Sequence, residues 1–187
     1  MDIIGIVILA ALALYAIVTY NGLVKARQMV REAWSGIDVQ LKRRADLIPN
    51  IVNTVKGYAD HEQETLQKVT EMRTRAQSVP ADDVAGRAAV EGMLSQALGR
   101  LMAVAEAYPD LKANTNFLEL QGQLSDLEDK IAAARRFFNN SVAEYNATRE
   151  AIPAAFFASS MGFHPMEFFN LDEAEKKLVN QTPQVKF

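Results

Sequence analysis

The side chains best suited to chemistry lie in one short stretch, residues 60–64, which read DHEQE. His61 and the glutamate after it begin like the H-E-x-x-H motif, in which two histidines four residues apart on a helix bind zinc. The position of the second histidine is occupied by Thr65, so the motif is incomplete. We interpret the stretch as a solvated helix face. The alternatives are a weak cation site formed by Asp60, His61, Glu62 and Glu64, and a hydrolase or metalloenzyme centre around His61 and Glu64.

Other catalytic signatures are absent from the sequence. The 187 residues contain no cysteine, which excludes disulfides, thiolate metal sites and a cysteine nucleophile. There is no glycine-rich phosphate loop, no G-x-S-x-G motif and no Glu-x-x-His repeat of the kind that holds di-iron centres. The net charge of −3 does not indicate a nucleic-acid-binding protein. We therefore predict a non-enzymatic protein with no catalytic, cofactor-binding or metal-binding residues, no cofactor, and neither nucleic acid nor a small-molecule substrate as a partner.

The chain begins with an uncharged apolar run at residues 3–20, IIGIVILAALALYAIVTY. As a helix this run is about 27 Å long, close to the roughly 30 Å hydrocarbon core of a bilayer. A buried core helix would show a polar face, and the run has none. A signal peptide would show a basic start and a small-residue cleavage site, whereas Asp2 occupies the start and VTYNGLV follows. We predict that residues 1–22 form a retained transmembrane anchor.

Positive charge is concentrated on one side of this anchor, at Lys25, Arg27 and Arg31. Because such charges hold a flank in the cytoplasm, they predict an outside N-terminus and a cytoplasmic body. The same bases lie within reach of anionic headgroups, although their role in orienting the helix is enough to explain their presence.

The body, residues 23–152, has apolar residues at the three- and four-residue spacing of bundle helices. Helices are expected from residue 20 toward 78, from Val84 to Tyr108, and from about Asn114 to Ile152. This pattern predicts an all-α fold, in which the anchor precedes an up-and-down antiparallel bundle of three to four long helices. Arg44 interrupts the first apolar face, so it must reach solvent or pair with a carboxylate, such as Asp46 or one from another helix.

Pro49 leaves the helix count open. The apolar phase continues across it, which favours one kinked helix, three long passes and a C-terminal segment far from the membrane. A break there would give helices of about 37, 43 and 39 Å, which are well matched in length. The chain would then make four passes, and the C-terminal segment would return to the headgroups.

Two further features are candidate contact surfaces. Gly92, Gly99 and Ala103 form a line of small residues that allows a neighbouring helix to approach closely. The C-terminal segment, residues 153–187, is predicted to contain short helices at 153–161 and 172–178, the first stopped by Gly162. It is rich in phenylalanine, at Phe156, Phe157, Phe163, Phe168 and Phe169. These rings either cover the open end of the bundle or form an interfacial or partner-docking patch.

Long stretches of the chain resemble the LemA family of bacterial membrane proteins. They are YNGLV at residues 20–24, EAWSGIDVQLKRRADLIPNIVNTVKGYADHE at 32–62, RRFFN at 135–139, EYNAT at 144–148, MGF at 161–163 and PQVKF at 183–187. Phe138 and Ile152 stand where the family pattern has tyrosine and phenylalanine. The resemblance covers nearly the whole chain.

The resemblance implies one N-terminal anchor, a helical bundle in the cytoplasm and no assigned enzymatic activity. It implies roles at the membrane, such as vesicle or magnetosome membrane formation, envelope stress or partnership with a membrane protease. Our first hypothesis is a non-enzymatic scaffold of the bacterial inner membrane that self-associates or docks another membrane protein, with the lipid bilayer as its constant partner. The alternatives are a membrane-remodelling, vesicle-forming oligomer and an adaptor of a membrane protease or envelope stress system.

Overall fold

A computed structural model describes residues 3–170 of the protein, and these residues contain helices and no strand. The predicted all-α bundle with a long apolar N-terminal helix is confirmed. The predicted helix at 172–178 lies outside the described residues. The helices are α1 (Ile3–Lys56), α2 (Gln63–Ser78), α3 (Val84–Glu106), α4 (Pro109–Lys112) and α5 (Thr115–Glu150), followed by a short 3₁₀ turn at Ala154–Phe156.

Helix α1 continues through Pro49 without a break. Proline has no N–H, so it cannot donate to the carbonyl oxygen four residues earlier, which belongs to Ala45. Arg73 of α2 donates its Nε–H to this oxygen at 2.6 Å and so supplies the missing hydrogen bond. The single-helix alternative at Pro49 is therefore correct, and a tertiary contact satisfies the backbone there.

The chain leaves the helix eight residues later, and the expectation of one helix extending toward residue 78 is wrong. The backbone N–H groups of Tyr58 and Ala59 both donate to the carbonyl of Val55, at 3.0 and 2.9 Å, which closes the last turn of α1. Gly57 lowers helix propensity by about 1 kcal/mol. Ala59 is buried and the Tyr58 hydroxyl accepts from Asn114, so tertiary contacts also favour the turn. Residues 3–170 thus contain four long helices although Pro49 does not break α1.

The starts of α3 and α5 follow their capping residues. The Asp83 carboxylate accepts from the backbone N–H of Gly86 at 2.8 Å, and the Asn114 side chain accepts from that of Phe117 at 3.0 Å. Such caps satisfy N–H groups that have no partner inside the helix. The expected ends of these two helices, at Tyr108 and Ile152, differ from the observed ends by two residues.

The described chain divides into two compact units, one of residues 3–37 and 134–168 and one of residues 38–133 and 169–170. In the second unit, α1 to α5 all contribute to a continuous apolar core. Its most deeply buried members are Ile48, Ile51, Val55, Ala59, Val69, Met72, Leu94, Leu101 and Leu111.

The first unit has its own core, between the middle of α1 and the end of α5. Trp34 of α1 packs on Phe138 of α5, with ring centroids 5.3 Å apart. The other buried side chains come from both helices and from the segment that follows α5. They are Leu23, Val30, Ala33, Ile37, Val142, Tyr145, Ala154, Ala158 and Phe163.

Candidate membrane-proximal site and a buried ion network

The N-terminal part of α1 exposes its apolar side chains on every side. The large apolar residues between Ile3 and Tyr20 have exposed fractions from 41% at Tyr20 to 81% at Ile3. No residue of its most apolar 18-residue window is buried. A core helix would bury this surface against other elements, so that alternative does not hold in the described part of the chain. The helix is long and apolar enough to cross a membrane.

The segment after α5 returns to the end of this apolar stretch. The ring of Phe163 meets the ring of Tyr20 edge-on, with centroids 5.5 Å apart. The guanidinium carbon of Arg27 lies 4.7 Å from the centre of the same ring, in a cation–π contact. The expectation that a helix unbroken at Pro49 places this segment far from the anchor is therefore wrong. The reason is the additional turn at residues 57–62, which supplies the fourth pass.

Four hydrogen bonds hold the returning segment against α5. Tyr145 donates its hydroxyl to the His164 carbonyl at 2.8 Å, and Arg149 Nε donates to the Phe163 carbonyl at 3.1 Å. Asn146 donates to the Met166 carbonyl at 2.9 Å and accepts from its N–H at 3.0 Å. Side chains of a regular helix thus pair with the backbone of an irregular segment, which fixes its path.

The Tyr145 hydroxyl is held as a donor by its surroundings. Burial raises the pKa of Tyr145, and the positive charges of Arg27 and Arg149 oppose this shift without cancelling it. The phenol therefore stays protonated at neutral pH and keeps its bond to the His164 carbonyl.

The returning segment buries small side chains and exposes large ones. Ala154 and Ala158 are each 1% exposed, whereas Phe156 is 80% exposed and Ile152 is 77% exposed. The five phenylalanines behave differently: Phe163 and Phe169 are buried, Phe157 is half-buried, and Phe156 and Phe168 are exposed. The sequence did not distinguish the buried phenylalanines from the exposed ones.

The juxtamembrane bases also differ from one another. Lys25 and Arg31 are exposed to solvent. Arg27 is half-buried, its Nε is buried without a hydrogen-bond partner, and its guanidinium lies over Phe163. Arg27 is therefore part of the packing of the first unit, while the other two remain free to meet headgroups.

Arg44 forms the centre of an ion network in the second unit. Its side chain is 1% exposed and pairs with Glu91 of α3, itself 2% exposed, and with Glu128 of α5 at 2.6 Å. Its Nη1 also donates to the Ser95 hydroxyl at 2.8 Å. Burial lowers the pKa of Arg44, but Glu128 and Glu91 together more than offset this, so its pKa is raised. The expected carboxylate partner comes from other helices and not from Asp46, which is exposed.

A second arginine extends this network. Arg87, on the first turn of α3, donates to Asp38 of α1 at 3.0 Å and lies 3.4 Å from Glu91. Asp38 also pairs with Lys42 at 2.7 Å. Buried charges are tolerated when they are paired and hydrogen-bonded, so this network holds α1, α3 and α5 in one register. The sequence carries no signal for the roles of Glu91 and Glu128, because their partner is distant along the chain.

The stretch at residues 60–64 spans the end of the turn after α1 and the start of α2. His61 and Glu64 are exposed, and Glu62 accepts a hydrogen bond from the Tyr108 hydroxyl at 3.2 Å. Among residues 3–170, no group of three or more histidine or acidic side chains is arranged to hold a metal ion. His164 is exposed and takes part through its backbone carbonyl only.

These features define a class: a membrane-associated all-α protein whose N-terminal helix is long and apolar enough to span a bilayer. The LemA family model matches residues 33–187. The chain therefore belongs to the LemA family.

Curated relatives agree with this assignment. The chain is 28% identical to Magnetosome protein MamQ of Magnetospirillum gryphiswaldense, covering 87% of this chain and 70% of the relative. It is 26% identical to Protein LemA of Metamycoplasma hominis, over 83% of this chain and 71% of that protein. It is 24% identical to Magnetosome protein MamQ 2 of Paramagnetospirillum magneticum, over 97% of this chain and 74% of the relative.

Proposed function

We propose that the protein is a non-enzymatic scaffold, anchored in the bacterial inner membrane, that presents helix faces to a second copy or to another membrane protein. One observation carries this proposal: α1 is a single helix from the exposed apolar stretch at Ile3 to the bundle core at Val55. The exposed apolar start of this helix supports anchoring in the bilayer, and its later turns belong to the helical body.

The proposed orientation places the N-terminus outside and the bundle in the cytoplasm. Lys25 and Arg31 support it, because exposed bases next to a spanning helix favour the cytoplasmic side.

The absence of native cysteine allows a direct test with single-cysteine variants. Ala103→Cys, on the exposed face of α3, should react with a membrane-impermeant maleimide only after the cells are permeabilised. Ala97→Cys, 5% exposed on the same helix, should react only after denaturation. Labelling of Ala103→Cys in intact cells would contradict the orientation.

The face proposed for association lies on α3. A Cβ added at Gly99 would meet nothing within 4 Å, and Ala103 beside it is exposed. Gly92 is buried, so the predicted line of three small residues is reduced to two at the surface. In native membranes, Ala103→Cys should form a crosslinked species with a short bismaleimide, to itself or to a partner. The control Ser125→Cys, exposed on α5, should not. Equal crosslinking at both positions, or none at either, would argue against this face.

Membrane remodelling is a second candidate, because two of the relatives carry the name of magnetosome proteins. An oligomer that imposes curvature should change the shape of liposomes in electron micrographs. The double variant Lys25→Glu/Arg31→Glu should weaken the effect, and it leaves the Arg27 contact with Phe163 intact. Liposomes of unchanged shape would remove this candidate and leave the scaffold.

His61→Ala should retain full function in any complementation assay, since this side chain is exposed and has no proposed role.

A further inference from the structure

We propose that residues 151–162, the loop after α5, form a second membrane contact. In this arrangement the side chains of Ile152, Phe156 and Met161 enter the interfacial layer of the leaflet in which the anchor ends. The inference rests on the anchor placement in the proposed function and adds a specific lipid-binding surface to it.

The position of the loop is the first argument. Tyr20 is the last residue of the uncharged apolar run, so it marks the boundary between hydrocarbon and headgroups. Phe163, the residue directly after the loop, is 0% exposed and touches Tyr20. Arg149 in the last turn of α5 donates its Nε–H to the Phe163 carbonyl, which links the end of the loop back to the helix from which it starts. Both ends of the loop are thus fastened at the level of this boundary.

The distribution of side chains is the second argument. The small residues Ala154 and Ala158 face inward and are buried, while Ile152, Phe156 and Met161 are 77%, 80% and 50% exposed. Large apolar side chains that are this exposed favour a less polar environment than water. At the headgroup level water is still present, so the irregular backbone of the loop remains hydrogen-bonded there.

The charges around the loop agree with a lipid surface. Lys25, five residues after Tyr20, is exposed on the same unit, and cations at this level are attracted to anionic phosphates. Glu150 is the acidic residue at the end of α5, and its carboxylate lies 3.5 Å from the Arg149 guanidinium. Continuity with the anchor thus identifies the bilayer as the occupant of this surface, and a second copy of the chain is an outcome that the test distinguishes.

The test uses the full chain with Trp34→Phe, which removes the single native tryptophan and keeps a ring against Phe138. Phe156→Trp reports on the loop in vesicles of phosphatidylcholine and phosphatidylglycerol that carry bromine-labelled lipids. Phe137→Trp is the matched control, because Phe137 is 55% exposed in the same unit. Phe138, the neighbour of Phe137, packs on Trp34 of α1. Trp34 lies about 21 Å from Tyr20 along the helix, which places this control beyond the headgroup layer. Tyr15→Trp reports on the anchor itself.

The expected result is several-fold stronger quenching of Phe156→Trp than of Phe137→Trp, with shallow labels more effective than deep ones. Tyr15→Trp should be quenched most by deep labels. If Tyr15→Trp is quenched and Phe156→Trp matches the control, the loop proposal is overturned while the anchor stands. If Tyr15→Trp is not quenched, the proposed anchor and the loop contact fail together. Fluorescence of Phe156→Trp that shifts with protein concentration in unlabelled vesicles, without quenching, would assign the surface to a second copy and overturn the lipid proposal.

Discussion

The hydrogen bond from Arg73 to Ala45 gives the sharpest test of how this bundle tolerates a proline inside α1. Pro49 leaves the Ala45 carbonyl without its usual helical donor, and Ala45 is 6% exposed, so water has little access to replace it. The Arg73 Nε–H reaches the oxygen at 2.6 Å from a different helix. If this explanation is right, Arg73 matters because residue 49 is a proline.

The substitution Arg73→Met removes the donor and keeps most of the aliphatic stem. An unsatisfied buried acceptor costs about 1–3 kcal/mol, so we expect the free energy of unfolding to fall by about 2 kcal/mol. In the background Pro49→Ala the backbone N–H of residue 49 can donate to Ala45. There the same substitution should cost less, with a coupling energy of about 1–2 kcal/mol between the two positions.

Urea unfolding of the full-length protein in detergent micelles, followed by far-UV circular dichroism, measures all four members of this double-mutant cycle. Arg75→Met is the matched control, because Arg75 is exposed on the same helix and should change stability by less than about 0.5 kcal/mol. An equal cost of Arg73→Met in both backgrounds would show that the arginine does not compensate for the proline. The explanation of the unbroken helix would then be wrong.

Three other perturbations test separate parts of the structure. Arg44→Met should lower the unfolding free energy by about 3–5 kcal/mol in urea titrations, because Glu91 is left as a buried charge without its main partner; the exposed neighbour Arg43→Met should change it little. Asn146→Ala removes two hydrogen bonds to the backbone of Met166, so amide exchange at that residue should accelerate several-fold while exchange in α3 is unchanged. Gly162→Ala should destabilise the protein by about 1–2 kcal/mol in thermal melts, because this residue has a φ of 78° that disfavours a side chain.

Much of the helical architecture could be predicted from local patterns. The apolar run at residues 3–20 marks a helix long enough to span a bilayer, and the three- and four-residue spacing marks the bundle helices. The caps at Asp83 and Asn114 are recognisable from residue type, because a short polar side chain before a helix satisfies free N–H groups. Continuity through Pro49 was also predictable, since the apolar phase does not reset there.

The turn at residues 57–62 was not predictable in the same way. Gly57 is tolerated in many helices, and its cost of about 1 kcal/mol does not by itself end one. The burial of Ala59 and the hydrogen bond between Tyr58 and Asn114 also favour the turn over a longer helix. The hydrogen bond joins residues that are 56 positions apart in the sequence, so local patterns cannot reveal it. This turn sets the number of passes and so decides that Phe163 lies beside Tyr20.

The sequence by itself determined the apolar helix long enough to span a bilayer, the helical class and the lack of any recognised catalytic motif, because each depends on residues close together along the chain. Only the tertiary structure decided which carboxylates pair with Arg44, which phenylalanines stay exposed, and which of the bases after the apolar run packs on Phe163. The physical reason is that helix periodicity defines the face a residue occupies. The partner opposite that face depends on turns and register, and these are set by contacts between distant parts of the chain.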